Sequence, residues 1–150
     1  MTLLLLIVSI GSCDSGKDLI KLDSQTWNAS YTKQDFKDRV LSNCIFSGIG
    51  DKTITEKFAM QDKSFYSPVV YILFDPVSEQ ILKSVIFKIK IDSLESLETV
   101  GEAAQGKNVF SECLKFYNSK KLDSISKDQL KAWAKIKNFD SLVHKAMPAY

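Results

Sequence analysis

Cysteine and histidine are the side chains in this sequence that could attack a substrate or bind a metal, and they are few. The 150 residues include three cysteines, Cys13, Cys44 and Cys113, and a single histidine, His144. A nucleophilic Cys/His pair needs a thiolate in an electropositive setting, and a zinc site needs several ligands close together. Cys44 and Cys113 stand among apolar neighbours, and the sequence contains no HExxH, GxSxG, Walker or dinucleotide-binding motif. We therefore expect no catalytic residue, no metal and no cofactor, and hence not an enzyme.

The N-terminus carries a short apolar run that ends in small residues and the first cysteine. Residues 3–10 are apolar apart from one serine, a Gly-Ser-Cys sequence ends at Cys13, and the chain turns polar from Asp14. The run has the length of a signal-peptide core and is too short for a membrane span. Its end resembles a bacterial lipoprotein box, which predicts a signal peptide over residues 1–12 and a lipid on Cys13. The alternative is a buried N-terminal strand of a cytosolic domain.

If Cys13 carries lipid, Cys44 and Cys113 remain as an even pair. In an oxidising compartment such a pair is expected to form a disulfide. A bridge between positions so far apart would stabilise the fold by about 4 kcal/mol in the loop-entropy model. The alternative is two unrelated buried thiols, which behave as small hydrophobic residues.

Composition and charge limit the possible partners. The net charge is +2, and Arg39 is the only arginine. Because nucleic-acid readers use arginine for base and phosphate contacts, we expect no nucleic-acid partner. With 45% hydrophobic and 25% charged residues, the chain is typical of a globular protein. Residues 13–30 are polar and are predicted to form a flexible tether, and residues 31–150 are predicted to form one domain. A lipid on Cys13 would be the only membrane attachment.

Helical periodicity dominates the sequence after the tether. Thr32 and Asp35 form a capping-box-like start, and Gly48 and Gly50 end the helix that follows. The run 69–74 fits either a buried strand or a helix. Short connections and mostly helical patterns predict an all-α fold, a single compact bundle of about five to six helices stapled by one disulfide. Further helices are predicted over residues 53–66 and from Asp75, Asp92, Asn108 and Ser126, followed by a short C-terminal tail.

Four carboxylates, Asp92, Glu95, Glu98 and Glu102, follow one another at short spacing. Asp92 and Glu95 form an N-cap pair, and the three glutamates fall on one helix face, opposite apolar positions that include Leu94 and Leu97. A solvated outer face explains them. Alternatively they form an acidic docking surface, because a basic partner would relieve their mutual repulsion.

Two stretches resemble a known family. Residues 108–123, NVFSECLKFYNSKKLD, resemble the signature of type VI secretion amidase immunity proteins, in which a helix carries Cys-Leu-x-x-Tyr-x-Ser followed by Leu-Asp. Residues 38–45, DRVLSNCI, are similar to the family's first helix, which ends near the partner cysteine. The two stretches together make up about a sixth of the chain that remains after the predicted signal peptide.

The resemblance implies a small all-helical periplasmic protein, often a homodimer, that blocks a cell-wall amidase injected by neighbouring cells. It implies the Cys44–Cys113 bridge, and it places the inhibitory contacts on residues 92–107, which occlude the substrate cleft of the amidase. The alternative is an envelope lipoprotein with a small-ligand-binding or structural role, which a large apolar pocket would favour. Four aromatic residues are expected in the core or partly in an interface: Phe65, Tyr66, Tyr71 and Phe74.

Overall fold

A computed structural model of the chain describes residues 31–64, 66–99, 101 and 105–148. Over these residues the chain forms α-helices and no strand, which confirms the predicted all-α bundle. The signal peptide, the lipid site at Cys13 and the tether lie outside the described residues, as do Phe65 and Glu102. The described helices are α1 (Lys33–Ile49), α2 (Lys52–Gln61), α3 (Asp75–Thr99), α4 (Val109–Tyr117), α5 (Lys120–Trp133) and α6 (Phe139–Ala146).

The first helix, α1, begins and ends where the sequence predicts. The Thr32 hydroxyl accepts a hydrogen bond from the Asp35 amide, and the Asp35 carboxylate accepts one from the Thr32 amide, at 2.6 Å. These bonds pair amides that the first helical turn cannot satisfy. Gly50 ends α1 in a left-handed conformation, φ 71°, whereas Gly48 lies inside the helix and is buried.

The core is built around α1, which packs on α3, α4 and α5. Phe36, Phe74 and Trp133 form its aromatic centre, with ring centroids 5.1–5.3 Å apart. Phe74 is therefore a core residue, while Tyr66 and Tyr71 are exposed. Edge-to-face and stacked pairs at these distances add to the stabilisation that burial provides.

The run 69–74 is helical, so the strand alternative is wrong. Val70–Phe74 form a π-helical turn that leads directly into α3, and the Asp75 amide donates to the Val70 carbonyl. The α-helix α3 begins at Asp75 as predicted, but Asp75 does not begin a separate helix, because helical turns from residue 68 lead directly into it. Pro76 lacks an amide hydrogen and crowds the preceding turn, and the wider π turn accommodates it without ending the helix.

Two predicted helix starts are wrong. Asp92 lies inside α3, which continues to Thr99. A helix interior tolerates this carboxylate because Lys88, one turn earlier, attracts it. The α5 helix begins at Lys120 rather than at Ser126. The Ser119 hydroxyl caps the helix by accepting a hydrogen bond from the Leu122 amide at 3.1 Å.

The remaining boundaries differ by less. The second helix, α2, ends at Gln61 rather than at residue 66. Asn108 occupies the N-cap position of α4 as predicted, although its side chain makes no capping hydrogen bond. The predicted tail contains the helix α6.

Candidate functional site

The predicted disulfide is present. Cys44 of α1 and Cys113 of α4 are bonded, their Cα atoms are 5.7 Å apart, and each residue is 1% exposed. Neither sulfur is a free thiol, which removes both the unrelated-thiol alternative and a pairing of either with His144. His144 lies exposed on α6. Over the residues that the structure covers, no group of histidine, cysteine and carboxylate side chains could hold a metal ion.

The residues of the sequence signature that follow Cys113 are bonded inside the protein. The Tyr117 hydroxyl donates to the Asp38 carboxylate of α1 at 2.9 Å. The Lys37 ammonium lies 4.8 Å from the centre of the Tyr117 ring and donates to Asp123 at 2.8 Å. Lys37 is buried, so Asp123 supplies the charge partner that a buried ammonium needs. These contacts join α1 to α4 and α5.

The rest of the signature has the same role. Ser119 caps α5, and Leu122 is fully buried. The Asp123 carboxylate also accepts a hydrogen bond from the Lys33 ammonium at 3.3 Å. The hydrogen bond from Lys37, and to a smaller extent the one from Lys33, hold the pKa of Asp123 below its ordinary value. We call the contact of α1, α4 and α5 around the disulfide the junction. The signature residues therefore hold this junction together.

A buried carboxylate ties α4 to α3. Glu112 is 8% exposed and accepts from Lys115 at 2.6 Å and from Lys88 at 2.7 Å. The hydrogen bonds from Lys115 and Lys88 lower the pKa of Glu112, and the bond to Glu112 raises the pKa of Lys88. Because these groups satisfy each other, they act as a clamp between the helices.

The C-terminal third of α3 extends past the core. Ile89 is fully buried, but none of residues 90–98 is. Phe87, Ile91 and Leu94 fall at i, i+4 and i+7, on the side of the helix opposite Ile89. Phe87 is 66% exposed, Leu94 60% and Leu97 58%. Leu94 and Leu97 are therefore exposed, because no described helix covers this side.

Two of the predicted partner-binding carboxylates lie beside these apolar side chains. Glu95 and Glu98 are exposed, while Asp92 is half-buried and lies toward Lys88. The prediction that the glutamates lie opposite Leu94 and Leu97 is wrong, because Leu94 and Glu98 are four residues apart and share one side of α3. Sequence reasoning found the acidic residues and missed the apolar stripe, although its spacing was a readable signal. We call this surface the outer face of α3; it comprises Phe87, Ile91, Leu94, Glu95, Leu97 and Glu98.

A groove of about 670 Å³ lies between α1, α2 and α3. Its walls include the aromatic residues Phe46, Phe58, Tyr66 and Phe87, together with charged side chains. The groove was not predictable from the sequence, because the lining residues come from three helices that are separated by turns. The groove borders the outer face of α3 through Phe87.

None of the helices in the described part of the chain is both long and apolar enough to cross a membrane. Comparison of the chain with protein-family models, with curated proteins and with solved structures finds no match. The resemblance in residues 38–45 and 108–123 therefore stays a prediction.

Proposed function

We propose that this chain is an immunity protein that binds and blocks a type VI secreted peptidoglycan amidase in the periplasm, by occluding the substrate cleft of the amidase. The observation that carries the proposal is the outer face of α3, on which large apolar side chains and two glutamates lie exposed together. Contiguous exposed apolar side chains with a polar surround are typical of protein–protein binding sites.

The physical properties of this face suit a tight inhibitor. An exposed phenylalanine and leucines supply apolar area that a partner can bury, as in the apolar core of a protein–protein interface. Glu95 and Glu98 would speed association with a basic partner surface. A lethal enzyme must be held with a Kd of about 1 nM or less, which corresponds to about −12 kcal/mol.

The fold supports the same proposal. The resemblance implies an all-helical protein with a Cys44–Cys113 bridge, and both features are present. Disulfides persist mainly in oxidising compartments. This supports the periplasmic location that the proposal includes, in which Cys13 carries the lipid anchor and the chain forms a homodimer.

The test is inhibition of the amidase that the neighbouring gene encodes. The purified chain without residues 1–13 is titrated into this amidase while peptidoglycan cleavage is measured. We expect complete loss of activity at a one-to-one ratio. A Glu95→Lys/Glu98→Lys variant should require at least about tenfold more protein, because two attractive contacts become repulsive.

A matched control reverses two exposed carboxylates elsewhere, with Asp128→Lys on α5 and Asp140→Lys on α6. The control should inhibit like the unmodified chain. An amidase that stays active with an excess of the unmodified chain would contradict the function. If the α3 variant and the control both weaken inhibition equally, the assignment of binding to the outer face of α3 is contradicted, but the inhibitory function is not.

A further inference from the structure

The groove between α1, α2 and α3 has the dimensions of a small-molecule site. Its volume of about 670 Å³ lies within the range of about 300–1,000 Å³ that such sites occupy. It is separate from the junction, and its lining does not include Glu95 or Glu98. An inference about its ligand therefore does not depend on the proposed immunity function.

One wall of the groove is apolar and is formed partly by α2. Phe46 of α1 and Phe58 of α2 have ring centroids 4.9 Å apart. Leu82, Ile86 and Phe87 of α3 line the opposite side. No residue of α2 is buried, and Ile54 and Phe58 remain about half exposed. Apolar surface left open in this way can be covered by the hydrocarbon part of a ligand.

The floor of the groove is polar and fixed. The Arg39 guanidinium binds the Asp75 carboxylate through Nε at 2.6 Å and Nη2 at 2.9 Å. The Asn43 amide donates to Asp75 at 2.9 Å and to the fully buried Ser78 at 3.0 Å. Because bidentate Arg–carboxylate pairs are rigid as well as strong, this network sets the depth of the groove.

The charges around the groove favour an anion. The lining includes Lys63, Lys83 and Lys90, of which Lys63 donates to the Ala59 carbonyl at 2.8 Å, and Arg39 is paired with Asp75. In the part of the chain that the structure describes, neither Lys83 nor Lys90 has a carboxylate within ion-pair distance. The lining also contains two acidic groups, Asp62 and Glu79.

These two carboxylates offset part of the positive charge but not all of it, because with Asp75 they make three acidic side chains against four basic ones in the lining. The Asp62 carboxylate accepts hydrogen bonds from the amide and the hydroxyl of Ser64, which orient it and leave its negative charge in place. Glu79 lies one turn before Lys83 on α3. The remaining excess of ammonium groups is positioned over an apolar wall, and this combination suits an amphiphile with a negative head group.

We propose that the groove binds a single-chain amphiphile with an anionic head group. Its hydrocarbon chain lies against Phe46, Phe58 and Ile86, and its head group is held by Lys83 and Lys90. The outer wall, α2, closes over the chain through Phe58.

The test is isothermal titration of the purified chain with dodecanoate, at concentrations at which dodecanoate is monomeric. Dodecyltrimethylammonium, which has the same chain and the opposite charge, is titrated in parallel. We expect saturable one-to-one binding of dodecanoate, and binding of the cation that is at least about tenfold weaker because the lysines repel it.

Variants locate the site. Lys83→Glu/Lys90→Glu should weaken dodecanoate binding by at least about tenfold, since two attractions become repulsions. The control Lys120→Glu/Lys127→Glu changes two exposed lysines of α5 at the same seven-residue spacing and should bind as the unmodified chain does. Phe58→Ala should weaken dodecanoate and the cation alike, because it removes apolar contact only.

Three results would overturn the proposal. The first is no saturable binding of dodecanoate, and the second is equal binding of the anion and the cation. The third is binding to phosphatidylglycerol vesicles without binding to monomeric dodecanoate, which would assign the lysines to a membrane surface. Loss of amidase inhibition has no bearing on these readouts, so the two proposals fail separately.

Discussion

At the junction of α1, α4 and α5, polar side chains bond within the protein, whereas on α2 and the outer face of α3 large apolar side chains face solvent. Lys37, Tyr117 and Asp123 are all paired in the first region. In the second region Phe87 and Leu94 lie mostly exposed. The difference indicates that the junction holds the fold together, and both proposed binding sites lie on the open side formed by α2 and α3.

Removing the disulfide should give the largest loss of stability. The bridge closes a loop of 69 positions, and the Cys44→Ala/Cys113→Ala variant should be less stable by about 4 kcal/mol. Urea unfolding of the variant and of the unmodified chain measures this difference. The reductant dithiothreitol should lower the urea midpoint of the unmodified chain and leave that of the variant in place. Equal midpoints for the two proteins would contradict the role of the junction.

Gly48→Ala should give the next largest effect. A Cβ at this position would lie 2.6 Å from Cγ1 of Val109, where α1 meets α4. Overpacking of this kind costs about 1–3 kcal/mol, and the better helix propensity of alanine returns at most about 1 kcal/mol. The thermal midpoint should therefore fall. Gly101→Ala is the control, since an added Cβ there meets no described atom within 4 Å, and its midpoint should stay unchanged.

Acid should remove the stabilisation that the junction and the Glu112 clamp provide, because both contain carboxylates whose folded-state pKa is lowered. The folded-state pKa of Glu112 lies below its ordinary value of 4.5, and that of Asp123 below 3.8. As the pH falls, the unfolded chain therefore takes up protons at a higher pH than the folded chain does. The carboxylates of Glu112 and Asp123 stabilise the fold above their ordinary pKa values, and this stabilisation is lost as the pH falls through their lower folded-state pKa values.

Urea midpoints measured between neutral pH and about pH 3 test this slope. Glu112→Gln should flatten the loss in acid, whereas Glu98→Gln, which changes an exposed side chain, should leave the slope as it was. An identical slope in all three proteins would show that the Glu112 clamp adds nothing to stability.

The smallest expected effect is local opening of α2. No residue of α2 is buried, and its ring contact is between Phe58 and Phe46. Helices with few buried contacts open at low free energy, so trypsin should cut after Lys57 before it cuts after Lys127 in α5. Phe58→Ala should speed the first cut and leave the second unchanged. If trypsin cuts first within α5, the prediction that α2 opens more easily than the junction is wrong.

The sequence predicted the junction better than the open side, for a physical reason. Three features of the junction can be recognised directly from residue types and their spacing. They are the helix cap at Thr32, the even pair of cysteines and the apolar residues that face the core at helical spacing. The continuity of α3 through Asp92 depends on attraction from Lys88, and its passage through Pro76 depends on a π turn. Single polar residues therefore resembled helix starts where the helix continues.

The exposure of Leu94 and Leu97 was not predictable from periodicity. A repeating apolar pattern shows which side of a helix is apolar, but whether another element covers that side depends on where the rest of the chain packs. Here the described helices pack on the side that carries Leu82 and Ile89. The apolar residues of the other side stay open, and the proposed binding surface arises from this arrangement.

Hydrogen–deuterium exchange of the chain with and without the neighbouring amidase tests the central claim most directly. If the outer face of α3 binds the enzyme, amides in residues 90–98 should exchange more slowly in the complex, while amides in α5 should be unchanged. Slower exchange in α5 with no change in residues 90–98 would place binding at the junction side and contradict the account.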